Sequence, residues 1–168
     1  KYIGGEHYLF LEADSIPDVL SPFFLPDRRP PDIVIILVEG LGRAFTNEEA
    51  YLGNFTPFLD SLARKSLYWD NFLSAGGRTF AVLPSVLGSL PYAENGFLAL
   101  GDSMPRTLTL NGILHTDGYH TGFYYGGDAR FDNMAAFLHL AGIDKLEHIA
   151  SLAAGYTTLT AQIGLISG

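Results

Sequence analysis

The chain has 168 residues, 48% of them hydrophobic, with 18 acidic against 10 basic side chains and a formal charge of −8. That length and apolar content suit one globular domain with a real core, and the negative balance excludes a basic footprint for a nucleic-acid backbone. Cysteine is absent, which removes thiolate catalysis, zinc knuckles and disulfide frameworks together.

Residues 1–31 mix aromatics with Pro17, Pro22, Pro26, Pro30 and Pro31 and show neither alternation nor helical period, which predicts an extended lead-in or connector. The segment opens without a Met, a basic n-region or an apolar h-region, so it does not resemble a secretory signal, and a processed or excised start is expected. Ile33 to Val38 form a mostly β-branched run without polar alternation, as expected of a strand covered on both faces of a parallel sheet. Glu39, Gly40, Leu41 and Gly42 follow it. Thr56 and Pro57 predict an N-cap and first helical residue, with Phe58, Leu59, Leu62 and Ala63 as one apolar face and an end near Ser66. Leu67 to Leu73 is expected to be a second strand.

The loop Ser74, Ala75, Gly76, Gly77, Arg78 leads to Thr79 and a helical stretch from Phe80 to Leu90, closed by Pro91. Pro84 inside that stretch argues for a late start or a distorted first turn, because proline removes an interior hydrogen bond. Further on, the pattern predicts a helix over Thr107 to Asp117 that ends at Gly118, then a strand over Thr121 to Tyr125 and a turn at Gly126 and Gly127. Asp132 is expected to cap a helix containing Met134, Phe137, Leu138 and Ala141, with Gly142 as its stop. Strands alternating with helices predict an α/β layered sheet. Residues 149–168 carry no charge, but their hydroxyls, Gln162 and glycines fit a buried strand or loop better than a membrane span.

Open α/β sheets gather chemistry beyond the carboxyl ends of their strands. Glu39 stands one residue past the first strand, where its carboxylate suits a divalent cation; a solvent-facing acid is the competing reading. Thr79 stands where a helix should begin, near unpaired N–H groups that suit a phosphate; an ordinary N-cap threonine is the alternative. Arg78 beside it offers a guanidinium for two oxygens of a tetrahedral anion, or is a plain surface arginine.

The ordered blocks PDIVIILVEGLGRAF, NFTPFLDSLARKSLYWDNFLSAGGRT, GSLP and DGYHTGFYYGGDARFDNMAAFLHLAGIDKL, over residues 32–146, resemble the lipoteichoic acid synthase and phosphoglycerol transferase group of the sulfatase, or alkaline phosphatase, superfamily. The resemblance implies an alkaline phosphatase-like three-layer α/β sandwich with a largely parallel central sheet, here its N-terminal half over 32–148. It implies Glu39 as a metal ligand and Thr79 as nucleophile and metal-contacting residue, with Arg78 assisting and a divalent metal (Mn, Zn or Mg) as cofactor. The implied substrate is a phospholipid head group or other phosphodiester of phosphoglycerol or phosphoethanolamine type. The implied location is the cell envelope, on the extracytoplasmic face of a bacterial inner membrane, with membrane proximity through the parent protein. Formylglycine sulfatases mature their nucleophile from cysteine or serine, whereas this chain places threonine there, so the resemblance favours phosphoryl over sulfate-ester chemistry.

Departures from the group's pattern set limits. The superfamily completes its metal sphere with a later Asp and His, usually adjacent, and no Asp-His dipeptide occurs here; His7, His115, His120, His139 and His148 form no ligand-like cluster. The expectation is therefore that the chain alone is inactive or nearly so, its cation completed by ligands it does not carry. Lipoteichoic acid synthases proper carry a substrate-binding histidine near the position of Tyr125 and a downstream arginine that has no counterpart here; Asp128 and Arg130 are the candidates to line the pocket instead. A truncated sheet predicts an exposed edge, apolar patches and self-association. Two rival functions stand beside the enzyme: a non-catalytic fragment that binds anionic ligands or a partner, and a sulfuric ester hydrolase. An esterase of GDS type, drawn on Gly101 to Ser103 with Asp117 and His120, has its blocks too close together in the chain.

Overall fold

The computed structural model describes residues 20–24, 29–78, 81–92, 94–151 and the backbone of 161–167. The lead-in lies mostly outside these residues, apart from a 3-10 turn at Ser21–Phe23. Two compact units divide the chain: one comprises Lys1–Leu37 with Ala75–Gly168, the other Val38–Ser74.

The larger unit is built on a four-stranded sheet of order β1-β4-β2-β3, with β1 at Ile33–Val38, β2 at His120–Tyr125, β3 at Lys145–Glu147 and β4 at Ala161–Ser167. β2 runs parallel to β3, with Gly122 opposite Lys145 and Tyr124 opposite Glu147. β4 runs antiparallel to β2, with His120 opposite Ser167 and Tyr125 opposite Gln162. The fold is thus α/β with a parallel pair, in a small mixed sheet. The uncharged tail contributes a strand, and no helix among the described residues is long and apolar enough to cross a membrane.

Strand β1 alternates between half-buried and exposed residues, so the expectation of cover on both faces is not met. Val34 and Ile36 are 53% and 61% exposed, while Leu37 packs on the core. The run lacks polar alternation in sequence because both sets are apolar; only packing distinguishes them.

Helix α2 (Val82–Gly88), helix α3 (Leu110–Thr116) and helix α4 (Met134–Leu140) belong to this unit. Its core joins Leu83 and Leu87 of α2, Leu98, Phe123 of β2, and Met134, Phe137 and Leu138 of α4. A second cluster sets Leu114 and Tyr119 against Ile33 and Leu110, and the Tyr119 hydroxyl donates to the Pro31 carbonyl at 3.2 Å. The latter contact ties the entrance of β1 to that of β2.

The helix ends follow local chemistry. Pro84 is the third residue of α2, within the first turn where its missing N–H loses nothing, so the helix starts late, as the proline required. The α3 helix begins at Leu110 rather than Thr107, because the Thr109 side chain accepts from Gly112 N at 3.1 Å and fixes the cap. Its hydroxyl also donates to Ala141 O at 2.8 Å, joining α3 to the end of α4. Asp132 does not cap α4: it lies in the 3-10 turn Phe131–Asn133 with φ 49°, and the cap position falls to Asn133, also left-handed. Asn133 instead donates its side-chain amide to Leu98 O at 3.0 Å. Gly142, with φ 85°, ends α4 as expected.

The smaller unit contains α1, Pro57–Ala63, with Thr56 before it. Its helix starts where the Thr-Pro pair predicts, but no side-chain cap bond forms and the apolar face remains open, with Phe58 75% and Leu62 50% exposed. Phe45 and Phe55 meet edge to face at 6.1 Å. The strand expected over Leu67 to Leu73 is absent: these residues form coil and a turn at Asp70, whose carbonyl accepts from Arg43 Nη1 at 3.0 Å. A strand needs a partner ladder, and none is assembled there among the described residues.

Candidate functional site

Glu39 follows β1 directly in an exposed turn, and Gly40 takes φ 71°, a left-handed conformation that lets the chain reverse at once. The strand end therefore presents the carboxylate at the edge where α/β folds place ligands. Glu39 belongs to the smaller unit and Arg78 to the larger. Arg78 is exposed in the loop that precedes α2. Thr79 lies outside the described residues, so its side chain is not assigned a place. The α2 helix begins at Val82 with Ala81 at the cap position.

The two glycines of the loop differ in purpose. A Cβ on Gly76 would lie 2.6 Å from Ala81 Cβ and 3.1 Å from Tyr92 Cγ, whereas one on Gly77 would meet nothing within 4 Å. Gly76 is thus the point where the loop is pressed against Tyr92. The same ring lies under Gly96, whose added Cβ would sit 2.7 Å from Tyr92 Cε2. Residue-by-residue reading missed Tyr92 as the post against which the loop rests; its place directly after the GSLP block was the available signal.

At the carboxyl ends of the parallel pair, the loop after β2 carries Asp128 and Arg130 and the chain after β3 carries His148. Ile149 N donates to Gly127 O at 3.0 Å, which joins the two strand exits. The Asp128 carboxylate takes Arg130 Nη2 at 2.6 Å and Arg130 Nε at 3.0 Å, and its Oδ1 accepts the Arg130 backbone N–H at 3.0 Å. The Arg130 side-chain and backbone hydrogen bonds hold the Asp128 carboxyl down to about 2, and the carboxylate in return raises the guanidinium. Tyr125, the residue near the expected substrate histidine, packs against the main core.

Another acid lies at the amino ends of the same strands. Asp144 Oδ2 accepts from Thr121 N at 2.7 Å and from Thr121 Oγ1 at 2.9 Å, with His115 Nδ1 at 3.5 Å from Oδ1. These bonds lower the Asp144 carboxyl below its ordinary range. Its role is to clamp the start of β2 to the turn before β3. Ser103, Asp117 and His120 make no side-chain hydrogen bonds to one another, so an esterase constellation is not assembled.

A divalent cation fits Glu39 in type, as a hard oxygen donor. Among the described residues, however, no group of three or more His, Asp or Glu side chains is placed to hold a metal ion. The donor set found there is incomplete.

A family model described as Sulfatase matches residues 31–162, from the entrance of β1 into β4. No solved structure matches the chain.

Proposed function

Because the chain belongs to the sulfatase family, we propose that it derives from a metal-dependent phosphotransferase or phosphodiesterase with Thr79 as nucleophile. The observation that carries this reading is Glu39 at the carboxyl end of β1, followed in order by the GGRT block in a chain without cysteine. Enzymes of this family generally use a divalent metal, which when bound neutralises charge on the ester oxygens and lowers the pKa of a nearby hydroxyl.

In the proposed reaction the Thr79 hydroxyl oxygen attacks phosphorus, the bond from phosphorus to the leaving alkoxide breaks, and the hydroxyl proton ends on that alcohol. Water or an acceptor hydroxyl then attacks the phosphothreonine, restoring Thr79 and releasing the product ester or phosphate. Arg78 holds two of the phosphoryl oxygens. Phosphoglycerol or phosphoethanolamine head groups at a bacterial envelope are the substrates that the resemblance supports.

We further propose that the chain alone turns over at or near background. The incomplete donor set among the described residues favours this, and equally favours the second reading, a non-catalytic segment that binds anions or a partner. The test is hydrolysis of bis-p-nitrophenyl phosphate and of p-nitrophenyl sulfate with Mn2+ or Zn2+, for the full chain and for Thr79→Ala. Phosphodiester cleavage at or just above background is expected, with any excess over background lost in the variant. Preference for the sulfate ester, or cleavage above background that is indifferent to Thr79, contradicts the nucleophile, and robust turnover contradicts the inactivity.

A further inference from the structure

Beside the start of β2, α3 and α4 border a cavity of about 500 Å3, a volume typical of small-molecule sites. Its wall includes Arg106 and Thr107 ahead of α3, Ile113 within it, Asp117 at its C-terminal cap, and His139 and Leu140 from the end of α4. The two sides are tied together, because the Thr109 hydroxyl donates to Ala141 O at 2.8 Å and both residues are buried. The fold therefore fixes the shape of the cavity before any ligand arrives. Thr121 Oγ1 donates to Gly142 O at 3.3 Å, which sets this rim at the amino end of β2, whereas Asp128 and Arg130 follow its carboxyl end.

The wall carries two opposite charges that do not meet. Neither the Arg106 guanidinium nor the Asp117 carboxylate has a partner among the described residues, and the seven residues of α3 between them, about 10 Å of helix, keep them apart. Asp117 also stands at a helix C-terminus, where a carboxylate is unfavourable and a cation is favoured. Next to Arg106 in the chain, the Thr107 hydroxyl oxygen is shielded and has no hydrogen-bond partner among the described residues, a state that costs free energy until a partner supplies the bond. A simple anion at Arg106 would leave Asp117 unmatched, and a simple cation at Asp117 would leave Arg106 unmatched. A ligand charged at both ends matches the two together.

We propose that this cavity binds a short peptide with free ends, its carboxylate on Arg106 and Thr107, its ammonium on Asp117 and an apolar side chain against Ile113 and Leu140. A tripeptide has the reach, since three extended residues span about 10 Å. A free amino acid carries both charges on one carbon and cannot touch both ends. The site uses no metal, no nucleophile and no residue of the proposed phosphotransfer, so it stands or falls apart from that reading.

The test titrates the 15N-labelled full chain with glycyl-leucyl-glycine, its N-acetylated form, its C-terminal amide, and leucine. The free peptide should shift the amides of Gly112, Ile113 and Gly142 in a saturable way. Each blocked form should bind about fivefold more weakly, the loss expected for one ion contact in water, and leucine should also be weaker. Arg106→Gln should bring the free peptide down to the affinity of its amide without weakening the amide, and Asp117→Asn should do the same with respect to the acetylated form. Neither side chain has a partner to lose among the described residues, so both variants should fold. Blocked forms or leucine that bind as tightly as the free peptide, variants that weaken every ligand alike, or the absence of saturable shifts at these amides overturn the proposal.

Discussion

Asp144 shows what a single side chain contributes here. It satisfies both the buried hydroxyl and the backbone N–H of Thr121, which is 2% exposed, and so fixes the first residues of β2. Asp144→Ala leaves that N–H without its acceptor, and a loss of about 1–2 kcal/mol is expected after allowance for partial exposure; urea unfolding at pH 7 measures it. The pH sign follows from the direction of the shift. A carboxyl held below its unfolded value stabilises the fold above that value and loses the contribution as pH falls, so the wild-type advantage over Asp144→Ala should shrink in acid. Asp128 follows the same sign, with its contribution lost as pH falls from the ordinary carboxylate range through about 2. Neither acid was legible as a clamp in the sequence, since each depends on a partner fixed only by folding: Thr121 for Asp144, and a hydrogen-bonding geometry for Asp128 and Arg130.

At the level of elements, α4 is the main structural commitment. Phe137 is fully buried and packs edge to face on Phe97 with ring centroids 6.0 Å apart. Phe137→Ala is expected to cost about 3–5 kcal/mol, enough to unfold the larger unit at moderate urea; a midpoint within experimental error of wild type contradicts that place in the core. The elements legible in advance were those with strong local chemistry. Pro57 opened α1, Gly142 closed α4, and Pro84 foretold a late start for α2. The misreadings fell where local pattern is silent about neighbours. Leu67 to Leu73 has strand-like residues but no ladder to join among the described residues, and Asp132 has a capping side chain but a left-handed backbone that hands the cap position to Asn133.

For the whole molecule, sequence order carried more than any residue taken alone. The match to a sulfatase-family model over residues 31–162 supports the superfamily, and the α/β sheet with its parallel β2 and β3 agrees with it. What sequence could not supply was the metal's full set of donors, because a coordination sphere is a property of distant segments brought together. Glu39 is placed at a strand end, and Thr79, two residues before the cap of α2, is its proposed partner. The proposed function requires the two to approach one cation. Titration of the 15N-labelled full chain with Mn2+ tests this most directly, since the paramagnetic ion broadens amides near it. Selective broadening of both Glu39 and Thr79, lost together in Glu39→Gln, is the predicted result; broadening of one without the other, or an unchanged pattern in Glu39→Gln, contradicts the shared site.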